Sequence, residues 1–123
     1  MSGYSGGAQR DAIDHRVLAE FLVDIGGDRQ SLVELVEMYL EDAPKLMHAM
    51  SVALQNDDAA ALGAASHTLK STSASMGAMG LSDQCGQLQD LASVRNLAGA
   101  KALMPSVHRE FERVQRQLST DYR

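Results

Sequence analysis

Apolar residues recur every three or four positions along most of this chain, the spacing that places them on one face of an α-helix. Strict alternation of apolar and polar residues, which is typical of a half-buried strand, does not occur in the sequence. The stripes predict five helices, at about 15–25, 29–54, 59–76, 81–92 and 96–118. The chain is therefore predicted to be all-α.

Capping residues support these helix starts. Asp14, Asp28 and Asp58 each stand directly before a stripe, and Asn96 stands before the last one. A side-chain oxygen at such a position accepts a hydrogen bond from a main-chain N–H group of the first turn. These four residues are therefore predicted to begin the first, second, third and fifth helices.

Glycine and proline residues mark where the predicted helices end or bend. The pair Gly26-Gly27 ends the first helix, and Gly77 and Gly80 bracket a short link before the fourth. Pro44 lies inside the second stripe and Pro105 inside the fifth, and a proline in a helix removes one hydrogen bond and bends the axis. The stripe resumes in phase after Pro44, so we predict one bent helix there.

The order of the elements predicts the architecture. The links are short, which favours antiparallel neighbours. We predict an antiparallel four-helix bundle made of the second to fifth helices, with the short first helix packed against one end. The length of 123 residues suits one such domain. Residues 1–10 are glycine-rich and are predicted to be a flexible tail, and residues 11–120 to be the helical domain.

Composition narrows the class of function. The net charge of −5 lacks the basic surface that binds nucleic acid or an anionic membrane, so neither partner is expected. No apolar run approaches the roughly 20 residues of a membrane span, and residues 1–10 lack the apolar segment of a signal peptide. Cys85 is the only cysteine and lies on an apolar stripe. We predict that it packs in the core of a cytoplasmic protein that has no zinc-ligand spacing.

One histidine of the third helix has little bulk around it. The predicted core seam consists of residues three and four apart: Leu62, Ala65, Leu69, Thr72 and Met76. At 100° per residue, His67 lies nearly opposite this seam and is predicted to face outward. Its neighbours on the outer face are small: Ala60, Gly63, Ala64, Ser71 and Ala74.

The residues alone leave two interpretations of His67 open. An outward histidine on an alanine-rich helix is by default a solvated side chain. An exposed imidazole is also a nucleophile, and the small neighbours would let a partner surface reach it. Lys70 lies one turn on, where a cation stabilises a transferring phosphoryl group. Gly63 favours the second interpretation, because glycine inside a helix costs about 0.5–1 kcal/mol relative to alanine.

The stretch His67-Thr68-Leu69-Lys70-Ser71, followed by Gly77-Ala78, resembles the H-x-L-K-G…G-A signature of histidine-containing phosphotransfer (HPt) domains. The flanking segments YLEDAPKLMHAM, NDDAAALGAASHTLK and LSDQCGQLQDLA are similar to helices of the same family. The similarity runs from about Asp14 to Leu118. Ser71 departs from the pattern, in which glycine usually follows the lysine.

This resemblance implies a phosphorelay intermediate that accepts a phosphoryl group from an aspartyl phosphate and passes it to another aspartate. The partners are response-regulator receiver domains, free-standing or within a hybrid sensor histidine kinase. His67 matches the phosphorylated residue and Lys70 the conserved helper. Gln89 matches the polar residue that accepts a bond from Nδ1–H of the ring and leaves Nε2 free to attack. The implied docking face consists of Ala60, Gly63, Ala64, Thr68, Ser71 and Ala74.

The resemblance also indicates what this chain does not supply. The receiver brings the Mg²⁺ ion and the acidic pocket, so we expect no cofactor or metal of the chain's own. The sequence has no nucleotide loop of the form G-x-x-x-x-G-K-[ST], so we do not expect the chain to phosphorylate itself. We expect it to be a monomeric carrier of the phosphoryl group. The acidic residues of the second helix are interpreted as a solvated face: Glu34, Glu37, Glu41 and Asp42.

Two other functions compete with this one. The alternative is a non-catalytic adaptor, a degenerate HPt domain that binds receivers without being phosphorylated, and Ser71 favours it. A small helical enzyme has no supporting site, because the serines near His67 lack a base with an orienting carboxylate. His15, His48 and His108 lack both the small neighbours and the nearby lysine, and are interpreted as ordinary surface or boundary residues.

Overall fold

The structure, a computed structural model, describes residues 11–122, and their regular elements are helices. These are α1 (His15–Asp24), α2 (Arg29–Gln55), α3 (Ala59–Ser75), α4 (Met79–Ser93) and α5 (Leu97–Asp121). The described residues contain no strand, so the all-α prediction is confirmed. None of the described helices is long and apolar enough to cross a membrane. The tail predicted for residues 1–10 lies outside the described residues.

Four of the helices begin at the predicted capping residues. Asp14, Asp28 and Asp58 each accept a hydrogen bond from a main-chain N–H group of the following turn, at 3.0–3.1 Å. Asn96 does the same at the start of α5, at 2.9 Å. Each bond satisfies an amide that has no partner within its own helix. α4 differs, because the residue before it, Ala78, offers no side-chain cap.

Two helices continue through an internal proline, Pro44 in α2 and Pro105 in α5. The apolar stripe of α2 keeps its phase across the proline, since Ala43 before it and Met47 after it are both buried. Packing on both sides therefore compensates for the hydrogen bond that the proline removes. The prediction of one helix through Pro44 is confirmed, and the bends at the two prolines stay predictions.

One hydrophobic core joins the helices. α3 packs against α2 and α4, α4 also packs against α5, and α5 packs against α2. The short α1 rests on α3. Large side chains that are fully buried come from every helix and include Leu18, Met50, Leu62, Leu88 and Leu118. Because α2 and α4 cover two sides of α3, its remaining side is exposed to solvent.

The link between α3 and α4 is fixed by the segment before α1. The main-chain N–H of Asp14 donates to the carbonyl oxygen of Gly77, at 2.7 Å. Gly77 has a φ of +77°, and a Cβ atom there would lie 2.6 Å from the Asp14 carbonyl oxygen, so only glycine suits the position. The expectation that Gly80 also belongs to the link is wrong. Gly80 lies in the first turn of α4, where a Cβ atom would meet Oε2 of Glu110 at 3.0 Å.

The predicted core seam of α3 is wrong at one residue. Thr72 is exposed, and its hydroxyl donates to the main-chain carbonyl of Thr68 at 3.1 Å. The next residue, Ser73, is buried instead, with its hydroxyl 2.8 Å from that of Tyr39 on α2. A buried tyrosine hydroxyl needs a hydrogen-bond partner, and a serine can supply one inside the core. The periodicity of apolar residues alone does not detect this polar pair.

Candidate functional site

α3 presents His67 to solvent. The apolar residues of its core side are buried: Leu62, Ala65, Leu69 and Met76. His67 lies on the other side of the helix and is exposed. The outward orientation predicted from the helical wheel is confirmed, and little of the packing of the domain depends on this ring.

Gln89, on α4, is the described hydrogen-bond neighbour of the His67 ring. The amide nitrogen of Gln89 lies 3.2 Å from Nδ1 of His67. The family resemblance predicts that the amide oxygen of Gln89 faces Nδ1 and accepts a hydrogen bond from Nδ1–H. In the structure the amide nitrogen faces the ring instead. A half-turn of the amide about its last bond exchanges the two atoms, so the same contact suits either ring tautomer. Nε2 of His67 has no hydrogen-bond partner within residues 11–122.

Lys70 is exposed and lies one turn after His67 on α3. Its side chain extends across α4 at Gly86. A Cβ atom built on Gly86 would lie 3.7 Å from Cδ and Cε of Lys70 and 3.8 Å from its Nζ. Within the described part of the chain, the ammonium has neither a carboxylate in ion-pair distance nor another hydrogen-bond partner. Its charge is therefore available to an anion brought to the site.

The register between α3 and α4 brings these residues together. Three residues forward on α3, from His67 to Lys70, correspond to three residues back on α4, from Gln89 to Gly86, so the two helices run antiparallel. Ser82, one further turn back, is buried, and its hydroxyl donates to the main-chain carbonyl of Lys70 at 2.9 Å. One side of α4 thus contacts the His67 ring, the lysine side chain and the lysine backbone.

Two residues of this arrangement, Ser82 and Gly86, were not predicted from the sequence. A signal for them exists, since Ser82, Gly86 and Gln89 are four and three residues apart and are polar or small. They therefore lie on one side of α4, next to its apolar stripe. The helix period shows that they share a side, but which residue of α3 they face depends on the register between the helices.

The predicted docking face lies on the surface of α3. Four of its members are exposed: Ala60, Ala64, Thr68 and Ser71. The other two, Gly63 and Ala74, are half-buried. Gly63 faces α4, where a Cβ atom would lie 3.6 Å from Cβ of Ala92, an ordinary contact distance. A groove of about 310 Å³ runs between the two helices beside Gly63 and Gln89. The groove is lined in part by Gln89, whose amide contacts the His67 ring.

The other three histidines have different surroundings. His15 joins the start of α1 to the end of α5, with Nδ1 2.6 Å from the hydroxyl of Tyr122 and Nε2 3.1 Å from the side-chain nitrogen of Gln117. It is an exposed residue that links the two helices. His48 and His108 are exposed and make no described hydrogen bond or ion pair.

Cys85 is fully buried, as predicted, and burial raises the pKa of its thiol to about 12. A thiol with so little thiolate is a packing residue. Within residues 11–122, no group of three or more histidine, cysteine, aspartate or glutamate side chains is arranged to hold a metal ion. The acidic residues of α2 are exposed to solvent: Glu34, Glu37, Glu41 and Asp42.

Comparison with known proteins bears on this site. The family model for the Hpt domain matches residues 34–117. The chain is 26% identical over 95 residues to histidine-containing phosphotransfer protein 5 of Arabidopsis thaliana. The aligned residues make up 75% of this chain and 60% of that protein, so this chain spans less than two thirds of the length of that relative. The fold of this chain matches the crystal structure of histidine-containing phosphotransfer protein B (HptB) of Pseudomonas aeruginosa PAO1 with a TM-score of 0.79 and 30% sequence identity. That match covers 91% of this chain and 97% of HptB.

Proposed function

This chain belongs to the Hpt domain family, and we propose that its role is phosphotransfer in two-component signalling, with His67 carrying the phosphoryl group. The observation that best supports this assignment is the exposed His67 ring with the Gln89 amide 3.2 Å from its Nδ1. This contact engages one ring nitrogen and leaves the other, Nε2, without a partner in the described chain. A ring held in this way has one nitrogen open to react.

The proposed donor is the aspartyl phosphate of a receiver domain. The lone pair of His67 Nε2 attacks phosphorus, the N–P bond forms, and the P–O bond to the receiver aspartate breaks, so that the aspartate leaves as a carboxylate. The proton on Nδ1 stays on the ring, where the oxygen of Gln89 accepts its hydrogen bond after the half-turn of the amide. The ring gains positive charge, and a charge-assisted hydrogen bond stabilises it. Transfer to a second receiver reverses these steps.

Lys70 is proposed to stabilise the transferring group. A phosphoryl group carries negative charge throughout the transfer, and a preorganised cation lowers the free energy of that charge in the transition state. The Lys70 ammonium has no carboxylate in ion-pair distance among the described residues, so its charge is not already neutralised. Positioning and charge account for most of the catalysis in such transfers.

The proposed scaffold for this role is the antiparallel four-helix bundle of α2 to α5, with α1 added at one end. The packing order supports it, since α2, α3, α4 and α5 each contact the next and α5 contacts α2 again. Such a bundle holds the interacting surfaces of α3 and α4 in a fixed register, because buried side chains lock the helices together. The flexible tail of residues 1–10 and the domain limits of 11–120 remain predictions.

The proposed partners are response-regulator receiver domains, including those of hybrid sensor kinases. The receiver is expected to supply the Mg²⁺ ion, while this chain supplies the imidazole and needs no cofactor of its own. The chain is proposed to act as a monomeric, cytoplasmic carrier, not as an enzyme that phosphorylates itself. The residues proposed to contact the receiver are Ala60, Gly63, Ala64, Thr68, Ser71 and Ala74.

The assignment is tested by transfer from a receiver domain that carries radiolabelled aspartyl phosphate. The parental chain is expected to take up label as an acid-labile, base-stable phosphate, the behaviour of phosphohistidine. His67→Gln is expected to take up none and to keep its helical content in circular dichroism, because the exposed ring packs against little. His48→Gln and His108→Gln are matched controls at exposed histidines and should accept label at the parental rate.

Two outcomes of this experiment contradict the proposal. Label retained on His67→Gln would place the phosphoryl group on another residue. A parental chain that binds the receiver without taking up label would be an adaptor, the alternative that Ser71 favours.

A further inference from the structure

We infer that Gly86 is a positioning residue for Lys70: it provides a stretch of α4 without a side chain, on which the lysine rests with its ammonium unpaired. This inference rests on the proposed function, since it concerns the cation of the same site. The evidence is the contact between the two residues across the α3–α4 interface, together with the hydrogen bond from Ser82 to the Lys70 backbone.

The contact involves the distal half of the lysine. A Cβ atom on Gly86 would lie 3.7 Å from both Cδ and Cε of Lys70 and 3.8 Å from Nζ. The side chain therefore lies along α4 instead of extending into solvent. Its backbone is held as well, because the buried hydroxyl of Ser82 donates to the Lys70 carbonyl at 2.9 Å. Both ends of the lysine are thus placed by α4, the helix that also holds His67 through Gln89.

Glycine at this position is not required by the backbone. Gly86 lies inside α4, and its φ is not in the left-handed region. What the lysine contact requires at position 86 is a small, uncharged residue, since even one methyl group would already meet the lysine at contact distance. The distances of 3.7–3.8 Å place one methyl group in ordinary contact with the lysine, and a longer side chain would compete with the lysine for the same surface of α4. Position 86 therefore controls where the lysine can lie.

Charge at position 86 matters as much as bulk. A carboxylate there would come within reach of Nζ and form an ion pair with it, because that ammonium has no carboxylate partner among the described residues. Such a pair would hold the lysine in place and neutralise the charge that the phosphoryl group needs. The uncharged, side-chain-free surface of Gly86 avoids this, so a glutamate and a glutamine at position 86 should behave differently.

The experiment compares Gly86→Glu with Gly86→Gln, which has nearly the same size without the charge. Each is made in the parental chain and in the Lys70→Ala variant, and uptake of label from a phosphorylated receiver domain is measured. Gly86→Glu is expected to slow uptake about 10-fold or more, the scale of a lost charge-assisted contact, and Gly86→Gln to slow it less. In the Lys70→Ala background both substitutions should have the same, small effect.

Two results overturn the inference. The first is uptake of label by Gly86→Glu at the same rate as by the parental chain. The second is equal slowing by glutamate and glutamine that persists in the Lys70→Ala background, which would indicate a merely structural role for Gly86. Thermal unfolding of each variant, followed by circular dichroism, verifies that the compared proteins are folded. If the parental chain takes up no label, it is the proposed function that fails, so the two failures are distinguishable.

Discussion

The side-chain amide of Gln89 lies 3.2 Å from Nδ1 of His67, although the two residues belong to different helices. The amide can present either its oxygen or its nitrogen to the ring, and the choice fixes which ring nitrogen carries the proton. If the amide oxygen faces Nδ1–H, the lone pair available for attack is on Nε2. A residue that touches no phosphate can therefore influence the rate of transfer.

Removing the two helper side chains should have graded effects on transfer. Lys70→Ala is expected to slow uptake from a phosphorylated receiver and to shorten the lifetime of the phosphorylated form. A charge-assisted contact of about 1.5–3 kcal/mol corresponds to about a 10- to 150-fold effect. Gln89→Ala loses a neutral contact of about 0.5–1.5 kcal/mol, so uptake should fall only about 2- to 10-fold. Rapid-quench measurement of labelled protein gives both rates, and parental rates in both variants would mean that the proposed site is wrong.

Bulk beside His67 should block the partner without harming the ring. Ala64 and Ser71 are exposed, so Ala64→Arg and Ser71→Arg should change the free energy of unfolding by no more than about ±0.5 kcal/mol. Phosphorylation of His67 by phosphoramidate, a small donor, should persist in both variants. Transfer from a receiver domain requires two surfaces to meet and should be lost.

The matched control for these variants is Ala19→Arg, which places the same side chain at an exposed position on α1. It should accept phosphate from both donors at the parental rate. If Ala64→Arg and Ser71→Arg also accept it from the receiver at that rate, the small residues around His67 are only those of an alanine-rich helix.

The two glycines of α3 and its following link should respond in opposite ways to substitution by alanine. Gly77→Ala should destabilise the protein by at least about 1–2 kcal/mol, because Gly77 has a φ of +77° and the new Cβ atom would lie 2.6 Å from the Asp14 carbonyl oxygen. Gly63→Ala should be neutral or stabilise by up to about 1 kcal/mol, since its Cβ atom meets that of Ala92 at 3.6 Å. Urea unfolding measures both, and an unchanged midpoint for Gly77→Ala would contradict the docking of Asp14 on Gly77.

The thiol of Cys85 should not react while the protein is folded. Burial raises its pKa to about 12, so at pH 8 the thiolate fraction is on the order of 1 in 10,000. Because the pKa is raised, a change of pH from 7 to 9 leaves the Cys85 thiol almost entirely protonated. Labelling with an aromatic disulfide reagent should be slow over this range and stoichiometric once urea unfolds the chain. Complete labelling of the native protein within minutes would contradict the burial.

The sequence by itself determined where four of the five described helices begin and which way His67 faces. Asp14, Asp28, Asp58 and Asn96 act on amides within one turn of themselves, so their effect is local and readable without a fold. The outward direction of His67 follows from the 3.6-residue period within α3. Thr72 was misplaced because the same period records apolar spacing only, and the buried neighbour Ser73 is polar.

Apart from the contact between Gln89 and His67, which the family resemblance implied, only the tertiary structure decided which residues of α4 meet those of α3. The pairing of Lys70 with Gly86 depends on the rotation and register of both helices, which the whole core sets as it excludes water from its apolar faces. The docking of Asp14 on Gly77 is of the same kind, because it joins residues far apart in the chain. Local signals act within a turn of helix, whereas contacts between helices depend on how all the buried side chains pack together. For that reason the sequence indicates that His67 faces outward, and the fold decides what surrounds it.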